Sequence, residues 1–238
     1  MKRNALDLFS GSGSWKKVLQ RTHNVISVDI TNYNKFDITH EVDILKWNYK
    51  IYPNDYFDII TAGCPCIWYS ILQCAWIDGK NGRQKRNKET GELYTYTKEH
   101  YERDLAYSDS LVLKTLEIID YFKPRLWYIE NPKSSKLKDR TFMKDLPFFD
   151  VDYCAYGFDY RKTTRIWTNK KDFSPKRCRK WECPSIIKYN KMAGGKKRMK
   201  HALTTGSGGN GIQKGVGGGD YRLERYKVPQ KLIEDLLS

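Results

Sequence analysis

Short apolar runs separated by longer polar stretches mark the first two thirds of the chain. The runs at residues 5–9, 25–29, 57–62 and 126–129 have the length of strands buried on both faces. Between the last two, Leu105, Leu111, Leu113, Leu116, Ile118, Ile119 and Phe122 recur at near-helical spacing, which predicts a helix over 104–122 that Pro124 brings to an end. A strand, a helix and a strand in that order form the repeating unit of a mostly parallel α/β sheet. Residues 151–155 and 164–168, separated by a polar stretch, predict an antiparallel hairpin closing the sheet. Near the end, Pro229 opens a segment carrying Leu232, Ile233, Leu236 and Leu237, the pattern of a short helix packed back onto the sheet.

Two stretches lack any such period. Residues 77–103 scatter Asp78-Gly79, Asn81-Gly82 and Glu89-Thr90-Gly91 among Lys and Arg, and predict a long mobile loop. Residues 193–219 are dense in Gly and Lys, which fits a flexible connection or a segment that a ligand orders. No internal repeat is visible. The 238 residues, 39% of them hydrophobic, suffice for one sizeable core and a smaller appended module.

Composition sharpens this picture through charge. The formal net charge is +15. Residues 161–214 hold sixteen Lys or Arg against only Asp172 and Glu182, whereas the remainder is nearly balanced. A basic excess confined to one segment reads as a face for a polyanion, because each phosphate contact releases condensed counterions. The competing reading is a solvated, Lys-rich loop. No run approaches the roughly 18 apolar residues of a membrane span, and only three residues separate Met1 from the first apolar run. We therefore expect a soluble, monomeric protein without a targeting leader or membrane partner, acting inside a cell. Six cysteines at irregular spacing suggest reduced thiols with chemical roles rather than a disulfide framework.

Candidate chemistry lies at two strand ends. The first strand breaks into Phe9-Ser10-Gly11-Ser12-Gly13, where glycines permit a tight turn and the close approach of a nucleoside. Asp29 ends the second strand, where its carboxylate can accept from both hydroxyls of a ribose. Such a pattern by itself fits a nicotinamide or an adenosylmethionine site. Lys16 stands where the dinucleotide pattern expects a third glycine, and Phe9 suits stacking on adenine, so both favour the methyl donor. The strand at 57–62 ends in Gly63-Cys64-Pro65-Cys66 and the strand at 126–129 in Glu130-Asn131-Pro132. A thiol and a carboxyl thus reach the edge where open sheets bind ligands.

In order, Asp7-Leu8-Phe9-Ser10-Gly11-Ser12-Gly13, Gly63-Cys64-Pro65-Cys66, Glu130-Asn131-Pro132 and Thr164-Arg165-Ile166-Trp167 resemble the motifs of the cytosine-5 DNA methyltransferase family, especially its compact phage and viral forms. The likeness covers most of residues 4–168, with a weaker match at 225–232. Ile67 and Thr163 depart from the Gln and Arg usual in the family at those places. The resemblance implies a Rossmann-like S-adenosylmethionine-dependent methyltransferase fold. Residues 1–168 and 216–238 would form the catalytic domain, and 169–215 a small inserted target recognition region. It implies methyl transfer from S-adenosylmethionine to carbon 5 of a cytosine flipped out of double-stranded DNA, within a host cytoplasm or nucleoid. It makes Cys66 the nucleophile, Glu130 and Asn131 its partners, and Arg165 a base contact that helps position Cys66. Phe9, Ser10, Gly11, Gly13, Asp29, Asp43, Ile44 and Pro65 would hold the cofactor. Within the recognition region, Lys196, Lys197, Arg198 and Lys200 are the expected DNA contacts.

Two rivals keep the fold but change the outcome: a methyltransferase acting on cytosine in RNA, and a non-catalytic nucleic-acid-binding protein. Cys178, Cys183 and His201 could bind zinc. Three ligands fall short of the four a structural site takes, so no metal is expected.

Overall fold

Seven strands form the central sheet: β1 (Arg3–Leu8), β2 (His23–Asp29), β3 (His40–Glu41), β4 (Ile59–Ala62), β7 (Leu126–Pro132), β8 (Phe148–Asp152) and β9 (Thr163–Thr168). They pair in the order β3-β2-β1-β4-β7-β9-β8. The structure, a computed structural model, describes residues 2–32, 37–79, 82, 84–87, 89–189, 198–204, 214–215 and 226–238. Strands β3, β2, β1, β4 and β7 run parallel, and β9 pairs antiparallel with both β7 and β8. The hairpin expected from the sequence therefore closes the sheet, with one change. The earlier strand lies at Phe148–Asp152, and residues 153–156 form a short 3-10 turn instead of continuing it.

Alternation along the strands builds two cores, one on each face. Leu6, Leu8, Ile60, Ala62, Ile129 and Trp167 point to one side, where α2 (Lys98–Phe122) covers them with Leu111, Val112, Ile118 and Phe122. Ala5, Ile59, Tyr128, Val151 and Ile166 point to the other, under α1 (Ser14–Leu19) and α3 (Gln230–Leu237). Leu232, Ile233 and Leu236 of α3 are fully buried there, each contributing about 1.5 to 3 kcal/mol by burial. Trp15 stacks on Tyr128 with ring centroids 5.3 Å apart, and Tyr128 Oη donates to the Leu236 carbonyl at 2.7 Å, so α1, β7 and α3 lock together.

The described residues of the stretch at 77–103 include regular structure that its composition did not suggest. It contains a small antiparallel pair, β5 (Lys85–Arg86) with β6 (Leu93–Tyr94). Helix α2 begins at Lys98, seven residues before the apolar period starts at Leu105. Thr97 caps it by accepting from the His100 N–H, while His100 Nδ1 accepts from the Thr97 N–H. At its other end Lys123 adopts φ 46° and donates to Ile119 O, which ends the helix just before Pro124. No helix among the described residues is long and apolar enough to cross a membrane.

Candidate active site

Strand β1 has β2 on one side and β4 on the other, so the chain order reverses there, and the crevice beyond the carboxyl ends of β1 and β4 is where open sheets of this class take ligands. The turn leaving β1 is tightly made. Phe9, Gly11 and Gly13 have φ of 54°, 49° and 67°, and Gly13 serves as the N-cap of α1. Gly11 N–H donates to Asp29 Oδ2 at 2.8 Å, and Thr31 N–H to Asp29 Oδ1 at 3.1 Å, so Asp29 fastens the turn to the end of β2. Glu41 of β3 stands beside Asp29 in register. Burial first, and the Glu41 charge as a lesser cause, push the Asp29 carboxyl up from its ordinary value. Asp43 accepts from the Leu45 N–H at 3.0 Å, and Ile44 is buried in the α2-side core.

Beneath this turn lies Asp7, the first residue of the Asp7–Gly13 motif, to which the sequence pattern gave no role of its own. It is fully buried and accepts from Ser10 Oγ at 2.7 Å and from Thr61 Oγ1 at 2.8 Å, joining the turn to β4. Desolvation outweighs these hydrogen bonds and pushes its carboxyl up to about 6.

The loop leaving β4 separates its two thiols by environment. Cys64 is 4% exposed and lies in the α2-side core with Thr115 Oγ1 at 3.9 Å, where burial pushes its thiol up to about 12. Cys66, two residues on, is half-buried, and Ile67 after it is exposed. Asn131 at the end of β7 is fully buried and donates through Nδ2 to the Cys64 carbonyl at 2.8 Å, pinning this loop to the neighbouring strand. Tyr69 anchors the segment that follows, donating to Asp109 of α2 at 2.8 Å.

Glu130 and Asn131 are adjacent and so serve opposite faces. Asn131 turns to the α2 side and the loop, while Glu130 turns to the α1 side, where Oε1 accepts from Tyr153 Oη at 2.9 Å and from Lys162 Nζ at 3.3 Å. Tyr153 and Lys162 were not singled out from the sequence. Lys162 carried the available signal, since it lies beside Thr163 in the stretch around Arg165 and supplies a cation there. Arg165 is opposite Asn131 in register, but its guanidinium engages both carboxylate oxygens of Asp150, at 2.8 and 3.1 Å, and stacks 3.5 Å over Phe148. The structure thus brings the Phe9–Gly13 turn, Asp29, the Cys66 loop, Glu130 and Asn131 to one sheet edge, and commits the Arg165 side chain to β8. Of the four expected DNA contacts, Lys196 and Lys197 lie outside the described residues. Arg198 and Lys200 lie on β11 (Arg198–His201), which pairs antiparallel with β10 (Ile186–Tyr189).

A seven-stranded, mostly parallel sheet with a glycine turn after β1 and a thiol loop after β4 is an α/β fold of the Rossmann-like methyltransferase class. A probable DNA (cytosine-5)-methyltransferase of Frog virus 3 (isolate Goorha) is 34% identical over 239 residues, which span 98% of this chain and 98% of that relative. The chain belongs to the DNA (cytosine-5)-methyltransferase family. A candidate DNA modification methyltransferase encoded within an E. coli prophage, known as a crystal structure, superposes with a TM-score of 0.47 at 15% identity over 74% of this chain. The chain spans about half, 51%, of that protein. No family model matches the sequence.

Proposed function

We propose that the chain transfers a methyl group from S-adenosylmethionine to carbon 5 of cytosine in double-stranded DNA, with Cys66 as the nucleophile. One observation carries the reading: Asn131 ties the loop bearing Cys66 to the strand end bearing Glu130, through its 2.8 Å hydrogen bond to the Cys64 carbonyl. A thiol and a carboxyl on two adjacent strands thereby share one edge with the glycine turn.

The residues at that turn fit the cofactor. Neighbouring carboxylates at the ends of β2 and β3, Asp29 and Glu41, form an acceptor pair suited to a ribose diol, and the turn, left-handed at Phe9, Gly11 and Gly13, has no Cβ at its two glycines to keep a nucleoside from the backbone. Ser10, Asp43, Ile44 and Pro65 complete the set assigned to it. When bound, S-adenosylmethionine supplies an electrophilic methyl on a sulfonium and leaves as the neutral thioether.

Carbon 5 of cytosine is a weak nucleophile. The Cys66 thiolate adds to carbon 6, the carbon 5–carbon 6 double bond opens, and the electron pair becomes available at carbon 5. Glu130, oriented by Tyr153 and Lys162, hydrogen-bonds the N3 edge and stabilises the charge that develops on the ring. Once carbon 5 is methylated, its proton passes to water, the carbon 6–sulfur bond breaks, and the ring and thiolate are restored. Arg165, paired with Asp150, contributes to the site by bracing β9 against β8 and through any base contact it makes beside Asn131.

Transfer of a labelled methyl group to duplex DNA, with bisulfite mapping of the product, tests this directly. Cys66→Ala abolishes transfer and leaves cofactor binding largely intact, whereas Cys64→Ala retains it. The reverse pattern overturns the nucleophile, and label entering RNA but not DNA overturns the substrate.

A further inference from the structure

The three-ligand set read from the sequence gains a fourth member in the fold. Cys154 lies in the 3-10 turn Tyr153–Tyr156 after β8, where a continued strand had been expected. Its sulfur converges with those of Cys178 and Cys183 and with a ring nitrogen of His201, all four donor atoms lying within 4.8 Å of one another. We propose that Cys154, Cys178, Cys183 and His201 form a tetrahedral structural zinc site that fastens the β10–β11 hairpin to the catalytic core.

The distances match the ion. Zinc–sulfur bonds of about 2.3 Å and zinc–nitrogen bonds of about 2.0 to 2.1 Å at tetrahedral angles place sulfur and nitrogen about 3.6 Å apart. Cys178 Sγ and Cys183 Sγ lie 3.4 and 3.6 Å from His201 Nε2. Hydrogen bonding alone accounts poorly for that arrangement. A neutral imidazole nitrogen has a single lone pair and accepts one thiol proton, yet two sulfurs face it. A metal uses that lone pair once and satisfies all four donors. None of the six cysteines is joined in a disulfide.

The surroundings suit the charge of such a centre. Zinc with three thiolates and a neutral imidazole carries one net negative charge, and the Arg161 cation lies close enough to act on Cys154, Cys178 and His201. Arg161 is itself held by Asp152 Oδ1 at 3.1 Å, while Asp152 Oδ2 accepts from the Cys178 N–H and from Arg177 Nε, both at 3.0 Å. Asp152 thus orders the Cys178 segment from behind. With four protein ligands there is no open coordination position, so the role is structural rather than catalytic.

The ligands come from three separate parts of the chain. Cys154 belongs to the core, Cys178 and Cys183 flank the short helical turn Lys180–Glu182, and His201 ends β11 opposite Ile186. Ala202 N–H donates to Ser185 O at 2.8 Å, and Leu203 N–H to Asp159 O at 3.1 Å, so the hairpin base already rests on the residues that follow the Cys154 turn. The same turn carries Tyr153, which donates to Glu130. One ion would thus brace both the hairpin and the residue that orients the Glu130 carboxyl. The assignment does not depend on the proposed activity.

The test uses the full-length protein, purified under reducing conditions and dialysed against metal-free buffer. Elemental analysis finds about one zinc per chain, as one closed site requires. Replacement by cobalt gives thiolate-to-cobalt charge-transfer absorption and the visible bands of a tetrahedral ion. Cys183→Ser and His201→Ala lose the metal, and Cys74→Ser, outside the cluster, keeps it. Should the cluster variants fail to fold, alkylation of the wild type followed by peptide mapping decides the matter: Cys154, Cys178 and Cys183 become reactive only after a chelator is added. Wild-type protein without zinc and without a cobalt spectrum overturns the site. So does metal retained by both cluster variants, or equal alkylation with and without chelator.

Discussion

Asp7 shows how one side chain can couple the stability of the cofactor turn to pH. Its carboxyl is pushed by burial from 3.8 to about 6, so between those values the folded chain keeps a proton that the unfolded chain has lost. A raised carboxyl contributes stability that is fully present below the unfolded value and is lost as pH climbs through about 6. Each tenfold change in proton affinity is worth about 1.4 kcal/mol, so the loss amounts to a few kcal/mol at most. Asp7→Asn keeps the shape and can still bond Ser10 and Thr61 but cannot ionise. We expect the melting temperature of the variant to rise relative to wild type as pH is raised from about 4 to about 7. A difference constant across that series would show that Asp7 titrates alike in both states. The two thiols of the next loop make a related point, since the sequence motif favours Cys66 over its near neighbour Cys64 and burial separates them in the same sense.

At the scale of elements, the sharpest prediction concerns the strut between β7 and β4. Asn131→Ala removes the donor to the Cys64 carbonyl and leaves Glu130, Cys66 and the cofactor turn in place. Because misplacing a reacting group by about 1 Å can cost on the order of 100-fold, methyl transfer should fall by about 10- to 100-fold in kcat. Affinity for S-adenosylmethionine, measured by calorimetry, should change little. A variant that lost cofactor affinity and kcat together would point to general collapse of the sheet edge. The strands that carry these groups were legible because parallel strands covered on both faces read as continuous apolar runs, as in β1 and β4. The start of α2 was hidden because its first turn rests on the Thr97 cap and on polar residues up to Arg103, with the apolar period beginning only at Leu105. Cys154 was misread as strand because Val151 and Tyr153 alternate correctly around it, and nothing local in the sequence shows that the chain turns there. The joining of Glu130 to Tyr153 and Lys162 spans 23 and 32 residues, a distance that periodicity does not reach.

For the molecule as a whole, charge location makes the most exposed claim. Sixteen basic residues against two acids in residues 161–214 give that segment nearly all of the net charge of +15, while the catalytic residues lie mostly in the balanced remainder. If the segment is a DNA face, Lys196, Lys197, Arg198 and Lys200 release counterions on binding, and the logarithm of affinity falls with the logarithm of salt by about 0.9 for each phosphate contact. Neutralising all four therefore flattens that slope by up to about 3.6 and weakens binding most at low salt. Methyl transfer to saturating DNA survives, because Cys66, Glu130 and Asn131 stand on the sheet edge and not on the hairpin. A solvated lysine-rich connection predicts a different result: the same four substitutions would shift affinity little and leave the slope unchanged. Measuring duplex affinity across a salt series for the wild type and the quadruple variant separates the two readings. Equal slopes would remove residues 169–215 as the DNA-reading region while leaving the chemistry assigned to Cys66 standing.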